Sequence, residues 1–144
     1  DFRKFWRQVY NSGIARINLY KKYPESLKLV HLLPMVFTVG VIGTLLLLFF
    51  GFLPYMLGTV HVFPILGYAM EALGCIGLFF ILLYTVALFF DSTKVNHNVK
   101  IGLLSIRAAF TQLMGYGCGF LSAWWKRCVL GKSEFSAYNK TFYK

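Results

Sequence analysis

Two apolar stretches decide the fold: residues 29–52, LVHLLPMVFTVGVIGTLLLLFFGF, and residues 64–90, PILGYAMEALGCIGLFFILLYTVALFF. No Asp, Glu, Lys or Arg lies between Lys28 and Glu71, and none lies between Glu71 and Asp91. A helix of about 20 apolar residues crosses a bilayer core of about 30 Å. Each stretch is long enough to do so, and we predict an all-α membrane protein with a transmembrane helical hairpin over residues 26–91.

The composition and the breaks in the pattern support this interpretation. Of the 144 residues, 58% are hydrophobic and 14% are charged, which is too apolar for an ordinary soluble domain. The first stretch is long and lacks a small-residue cleavage site, which argues against a secretory signal peptide. We expect Pro34 to begin or kink the first helix, the run Gly51-Phe-Leu-Pro54 to break it, and Pro64 to begin the second.

The distribution of basic residues orients the hairpin. Two cations, Lys94 and Lys100, follow the second stretch, and none lies in the connection 53–63. Because Lys and Arg accumulate on the cytoplasmic side, we expect both ends of the hairpin in the cytoplasm, with 92–100 as a cytoplasmic loop and 126–144 as a basic cytoplasmic tail. The cations before the first stretch agree with this orientation: Arg3, Lys4, Arg7, Arg16, Lys21, Lys22 and Lys28.

Residues 101–125 form a third membrane segment that admits two interpretations. A polar stripe recurs along one helical face, and the run Gly115-Tyr-Gly-Cys-Gly119 contains three glycines at which a helix could break. We therefore expect a re-entrant or interfacial helix pair that returns to the cytoplasm. The alternative is a third span, in which the glycines would allow close helix contact but the basic tail would lie outside, against the charge rule.

The first 25 residues predict a basic amphipathic helix at the membrane interface. Apolar side chains recur at steps of three and four, whereas cations and amides occupy much of the remaining surface. Such a helix lies among the lipid headgroups, so we expect membrane lipids as partners. A net charge of +10 would also suit nucleic acid, but its position beside apolar spans argues for no nucleic acid partner. The expected surface anchors are Arg3, Lys4, Trp6, Lys21 and Lys22.

Three polar residues lie in or near the apolar segments: His31, Glu71 and Arg107. Charge inside a membrane is a functional hint, so all three are candidates. Glu71 would lie roughly 30 Å and Arg107 roughly 10 Å from the cytoplasmic surface, so we do not expect them to pair. The structural alternative is that each reaches its own interface by snorkelling.

Two short motifs add a resemblance to a known family. Arg7-Gln8, Gly13-Ile-Ala-Arg16 and Tyr23-Pro24 resemble the junction that follows the catalytic domain in bacterial membrane-bound family 2 glycosyltransferases. The later Gly115-Tyr-Gly-Cys-Gly-Phe120 is similar to an element in the last membrane segment of these enzymes. The order of the motifs, with a hairpin between them, also fits this family.

The resemblance implies that membrane anchoring and catalysis belong to different parts of one protein. The chain would anchor a glycosyltransferase in the bacterial inner membrane and present a polyprenyl-phosphate-linked or glycan acceptor. The missing catalytic domain would precede residue 1, bind the nucleotide sugar, and hold a divalent cation, Mg or Mn. The five acidic residues of this chain are too scattered for a metal site or a catalytic base, so we predict neither here. The start at Asp1, without Met, suggests a truncated product.

The resemblance also selects candidate site residues on the acceptor and pyrophosphate side: Arg7, Gln8, Gly13 and Arg16. Related synthases carry Gln-x-x-Arg-Trp on an interface helix, but here Asn11 and Ser12 replace the Arg and Trp. This departure argues against a processive channel like that of cellulose synthase. Arg16 could supply a cation to phosphate instead.

Each candidate has a simpler alternative: a solvated amide for Gln8, a lipid-phosphate anchor for Arg16, and close helix packing for Gly13. The alternative function for the whole chain is a small non-catalytic membrane scaffold or partner-binding subunit.

Overall fold

The computed structural model describes residues 1–57 and 64–132. This part of the chain is almost entirely helical and contains no β-strand. The long helices are α1 (Phe2–Lys22), α2 (Leu33–Met56), α3 (Pro64–Asn96) and α4 (Val99–Trp124). Short 3-10 turns at Pro24–Ser26 and Leu29–His31 join α1 to α2, and a π turn at Trp125–Val129 follows α4.

The chain divides into two compact units, and α2 and α4 contribute to both. The α1 unit combines Asp1–Thr38 with Arg107–Lys144, and the hairpin unit comprises Val39–Ile106. All predicted site residues except Glu71 belong to the α1 unit.

Local sequence signals set both ends of α1. The Asp1 carboxylate caps the first turn by accepting a hydrogen bond from the Arg3 backbone N–H at 2.9 Å. Lys21 and Lys22 occupy the last turn, where cations complement the helix dipole. The helix stops at Tyr23 because the residue before a proline disfavours helical backbone angles.

The apolar face of α1 forms the core of the α1 unit. Ile14 and Ile17 of α1 are buried together with Phe120 and Ala123 of α4. We expected α1 to lie among the lipid headgroups, but over Ile14 and Ile17 its apolar face is covered by α4. Asn11, assigned from periodicity to the polar side of the helix, is also buried, at 9% exposure.

In the hairpin unit, small residues bring α2 and α3 together. The backbone of Gly51 lies against Glu71, Gly74 lies against Leu48, and Gly77 lies against Thr44. Residues later in α2 contact residues earlier in α3, so the two helices are antiparallel. Glycine and threonine at these positions allow the close backbone approach that is typical of membrane helices.

Two helical segments are long and apolar enough to cross a membrane: Leu29–Pro54 and Pro64–Asn96. Only 17% and 6% of their most apolar windows are buried within the chain. A soluble core helix would be mostly buried, whereas these helices keep long apolar surfaces exposed. The sequence-based prediction of two membrane-type helices is confirmed at this level.

Several predicted boundaries were wrong by a few residues. Helix α2 does not break at Gly51–Pro54; it continues to Met56 because Leu57 N–H bonds to the Leu53 carbonyl at 3.1 Å, so helical bonding resumes after the proline. Helix α3 begins at Pro64 as predicted but extends to Asn96. The predicted loop 92–100 therefore shrinks to residues 97 and 98, where His97 adopts a positive φ of 49°.

The expected break at the glycines of residues 101–125 was also wrong, because α4 is continuous from Val99 to Trp124. Neighbouring segments pack on these glycines, and such tertiary packing supports a helix that its intrinsic propensity would weaken. Residues 58–63 of the predicted connection and 133–144 of the predicted tail, including Lys140 and Lys144, lie outside the described residues.

Candidate functional site

The candidate site begins where α1 crosses α4 without intervening side chains. A Cβ on Gly13 would lie 2.7 Å from the Phe120 backbone nitrogen and closer still to the Tyr116 carbonyl oxygen. A Cβ on Gly119 would lie 2.8 Å from the Tyr10 carbonyl carbon. Real Cβ atoms do not approach backbone this closely, so only glycine fits at both positions. The crossing joins the Gly13–Arg16 motif to the Gly115–Phe120 motif.

The remaining glycines of the second motif also contact residues of other helices. Gly115 lies against Val9 and Trp6 of α1, whereas Gly117 lies against Thr38 and the Pro34 carbonyl oxygen of α2. At this motif, α1 thus packs against one face of α4 and the start of α2 packs against another.

Thr38 fixes α2 to α4 with a buried hydroxyl. Its Oγ1 lies 2.9 Å from the Pro34 carbonyl oxygen in its own helix and 3.2 Å from the Leu113 carbonyl oxygen of α4. One turn earlier on α4, the rings of Phe37 and Phe110 meet edge to face with centroids 5.5 Å apart. These contacts hold the beginning of α2 beside the glycine crossing.

An apolar cavity opens beside this crossing. Its volume is 410 Å³, and it lies between the end of α1, the turns that follow α1, and the C-terminal half of α4. A second hollow of 310 Å³ shares Tyr20 and Trp124 with the cavity and includes Lys21 and Cys128. The cavity is lined by Ile17, Tyr20, Leu27, Leu32, Met35, Phe120, Leu121 and Trp124.

Arg16, Lys28 and His31 form a basic group in the α1 unit. The guanidinium of Arg16 and the ammonium of Lys28 both act electrostatically on His31. The Lys28 backbone N–H donates to His31 Nδ1 at 3.1 Å, so a neutral His31 ring carries its proton on Nε2. In the sequence, these three residues are each adjacent to a residue that lines the cavity: Ile17, Leu27 and Leu32, respectively.

The structure separates the four acceptor-side candidates. Gly13 is buried in the crossing, a position that accords with its packing alternative. Arg16 is half-buried and belongs to the basic group around His31. Arg7 and Gln8 are exposed on α1. Their roles toward a substrate stay predictions.

The predicted surface anchors lie at both ends of α1. Arg3, Lys4, Lys21 and Lys22 are exposed, and Lys21 also lines the second hollow. Trp6 is 39% exposed, and its ring faces the Gly115 backbone. Part of the side chain therefore packs on α4, and part remains on the surface.

The intramembrane candidates have different surroundings. The Arg107 guanidinium carbon lies 4.1 Å from the centroid of the Phe2 ring, so this arginine makes a cation–π contact with the start of α1. Glu71 belongs to the hairpin unit, where its backbone supports the contact with Gly51. His31 joins the basic group already described.

Sequence reasoning missed the residues that connect distant segments. Thr38 was not singled out, nor was the hydrogen bond from Arg127 Nη1 to Asn18 Oδ1 at 2.8 Å. Periodicity indicates which face of a helix is apolar but not which helix covers it. The glycine run was noticed as a possible break, and its alternative use, close packing, is the one observed.

No group of three or more His, Cys, Asp or Glu residues suited to a metal ion occurs in residues 1–57 and 64–132. In comparisons with known proteins, no family model, curated protein or solved structure matches this chain.

Proposed function

We propose that this chain is the membrane-anchoring and acceptor-presenting part of a family 2 glycosyltransferase. In this proposal a separate catalytic domain of the same protein binds the nucleotide sugar with a divalent cation. The α1 unit then holds the acceptor, a lipid-linked glycan or a growing polysaccharide, beside that domain.

The observation that carries the proposal is the contact between the two motifs on which the family resemblance rests. Gly13 lies in the first motif and Gly119 in the second, and about a hundred residues of chain separate them. They nevertheless meet at one crossing whose backbones touch. We take this contact as support for a shared functional origin of the two motifs.

The apolar surfaces support a location in the bacterial inner membrane. Helices α2 and α3 are antiparallel, and each contains a segment long and apolar enough to cross. The basic residues before α2 and after α3 favour a cytoplasmic position for both ends of this hairpin. A nucleotide-sugar domain joined to α1 would then lie in the cytoplasm, where its donor is made.

The α1–α4 contact supports an interfacial position for α4 as well. Contacts run in parallel order from Phe2 with Arg107 to Asn18 with Arg127. This covers about 24 Å of α1. Because α1 carries too many cations to cross a bilayer, a helix that accompanies it over this length lies at the interface with it. We therefore favour an interfacial α4 over a third span.

The test compares catalysis with membrane retention in the full-length protein. Replacing Arg7 and Arg16 with Glu is expected to lower transfer of labelled sugar from a nucleotide sugar by more than it lowers the membrane-bound fraction. The matched control is Arg3→Glu with Lys4→Glu, which makes the same charge change on the same helix. This control should lower retention without lowering transfer per retained molecule.

Equal losses of transfer and retention in both double variants would reduce Arg7 and Arg16 to lipid anchors. Absence of transfer with every nucleotide sugar tried, in a protein that stays in the membrane, would favour the non-catalytic scaffold.

A further inference from the structure

We propose that the α1 unit binds one anionic phospholipid of the surrounding bilayer, with an acyl chain in the apolar cavity and the phosphate between Lys21 and Arg127. This lipid is a bound component of the α1 unit, unlike the lipids that any basic surface attracts. The site does not depend on the proposed transferase, because a non-catalytic membrane scaffold would use it equally.

The cavity suits an acyl chain in both size and lining. Its 410 Å³ lies within the range of about 300–1,000 Å³ that is usual for small-molecule sites. The lining consists of aliphatic and aromatic side chains and one methionine. Leu32 and Met35 of this lining belong to Leu29–Pro54, the segment that is apolar enough to cross a membrane. An acyl chain can therefore pass from the bilayer into the cavity without exposure to water.

The second hollow provides a place for the headgroup. It shares Tyr20 and Trp124 with the cavity, and Lys21 also lines it. Tyrosine and tryptophan are enriched at the membrane–water interface, where their rings contact acyl chains and their polar ends meet headgroups. Lys21 thus lies where the headgroup of a lipid seated in the cavity would emerge.

A second cation lies near Lys21 and has an unused donor. The Nη1 of Arg127 donates to Asn18 Oδ1 at 2.8 Å. Asn18 and Lys21 are three residues apart on α1, so they are neighbours on the helix surface with Cβ atoms about 5–6 Å apart. The Nε of Arg127 is buried and has no hydrogen-bond partner in the part of the chain that the structure describes. A buried donor without an acceptor costs free energy, and a phosphate oxygen would supply that acceptor.

The two cations select an anionic headgroup. Neither Lys21 nor Arg127 forms a salt bridge with an acidic side chain among the described residues. A guanidinium can bind two phosphate oxygens, and an ammonium adds a point charge. Phosphatidylcholine would bring its own cation into this site, whereas phosphatidylglycerol brings only the phosphate charge.

Quenching by brominated acyl chains tests the site, because bromine quenches a tryptophan only at close range. A chain carrying Trp6→Phe and Trp125→Phe keeps Trp124, which lines the cavity. In phosphatidylcholine nanodiscs, brominated phosphatidylglycerol should quench Trp124 to saturation, and the same quenching should need about tenfold more brominated phosphatidylcholine. The matched chain, Trp124→Phe with Trp125→Phe, keeps Trp6, which lies near the exposed cations Arg3 and Lys4. Trp6 should show a smaller preference, because surface attraction alone acts there.

Two pairs of substitutions separate the site from general attraction. Lys21→Gln with Arg127→Gln should reduce the preference of Trp124 for phosphatidylglycerol by about tenfold. Arg3→Gln with Lys4→Gln removes the same number of charges and should leave this preference unchanged. Arg3 and Lys4 lie about 25 Å from Lys21 along α1, and exposed charges are screened over about 10 Å. Leu121→Phe should reduce quenching by both lipids, because the larger side chain occupies part of the cavity.

Several results would overturn the inference. An equal preference for phosphatidylglycerol at Trp124 and Trp6, or equal effects of the two double-Gln variants, would leave only surface attraction. Absence of quenching of Trp124 by either lipid would leave the cavity to another occupant, such as a second copy of this chain.

Native mass spectrometry of the wild-type chain gives a measurement that no substitution affects. With both phospholipids present in a mild detergent, the chain should retain one phosphatidylglycerol. Equal amounts of the two lipid adducts would contradict the site.

The same experiments distinguish this inference from the proposed function. A saturable phospholipid site in a full-length protein that transfers no sugar would leave the inference standing and remove the transferase. Sugar transfer by a protein whose Trp124 shows no preference for phosphatidylglycerol would keep the transferase and remove the phospholipid site.

Discussion

The α1–α4 crossing predicts that alanine is not tolerated at Gly119. The added methyl would lie 2.8 Å from the Tyr10 carbonyl carbon and 3.1 Å from its Cα, and both are backbone atoms that cannot rotate away. Overpacking of this kind costs about 1–3 kcal/mol, and the rigid backbone places this site near the upper limit. Alanine recovers about 1 kcal/mol through its better helix propensity. We therefore expect Gly119→Ala to lower the free energy of unfolding by about 2 kcal/mol.

Gly40 supplies the matched control, because it is also a glycine inside a long helix. A Cβ there would meet no atom within 4 Å. Gly40→Ala should therefore leave the free energy of unfolding unchanged or raise it by up to about 1 kcal/mol. The two variants make the same chemical change and differ only in what the methyl group contacts.

The assay is unfolding by sodium dodecyl sulfate in mixed micelles, followed by tryptophan emission, to which Trp6 contributes. This residue faces Gly115, so its surroundings change when α1 leaves α4. The midpoint of Gly119→Ala should fall clearly below that of the wild type, and Gly13→Ala should behave in the same way because the Tyr116 carbonyl and the Phe120 nitrogen block its methyl. A Gly119→Ala midpoint equal to that of Gly40→Ala would refute the close crossing.

Three further predictions test other contacts and the topology. Thr38→Val should cost about 1 kcal/mol of unfolding free energy by removing the buried hydroxyl beside Leu113, whereas Thr111→Val, whose hydroxyl bonds only within its own helix to Arg107, should cost less. Arg107→Met should lower the free energy of unfolding by up to about 1 kcal/mol, because the contact with Phe2 is lost. Lys100→Met is the control and should leave this free energy unchanged. Equal effects of the two variants would show that the cation–π contact contributes nothing. A cysteine at Ser136, outside the described residues, should react with an impermeant thiol reagent only after the cytoplasmic side is opened, and labelling of intact cells would establish a third span.

The sequence predicted the helices well because their signals are local. The absence of charge from Lys28 to Glu71 predicts a membrane-type helix by itself, and the proline at Pro64 marks the start of the next. The helix ends were less predictable. Pro54 looked like a break, but a proline in the last turn costs one backbone hydrogen bond and the helix continues past it.

The candidate site could be predicted only in part, because it depends on contacts between distant segments. The two motifs were visible in the sequence, but the glycines of residues 115–119 could equally mark a break or a packing surface. Only the residues that contact these glycines decide between a break and a packing surface. Here Tyr10, Val9 and Thr38 fill the space that a side chain would need. The cavity was not predictable either, since its lining comes from α1, from the segment before α2 and from α4.

We propose that this chain belongs to a glycosyltransferase whose catalytic domain lies elsewhere in the same protein. The most direct measurement is mass spectrometry of the natural protein, isolated from its membranes with an antibody against residues 133–144. We expect a protein much larger than 16.5 kDa, with peptides preceding Asp1 that include an Asp-x-Asp motif for a metal-bound nucleotide sugar. A natural protein of 16.5 kDa that starts near residue 1 would contradict it.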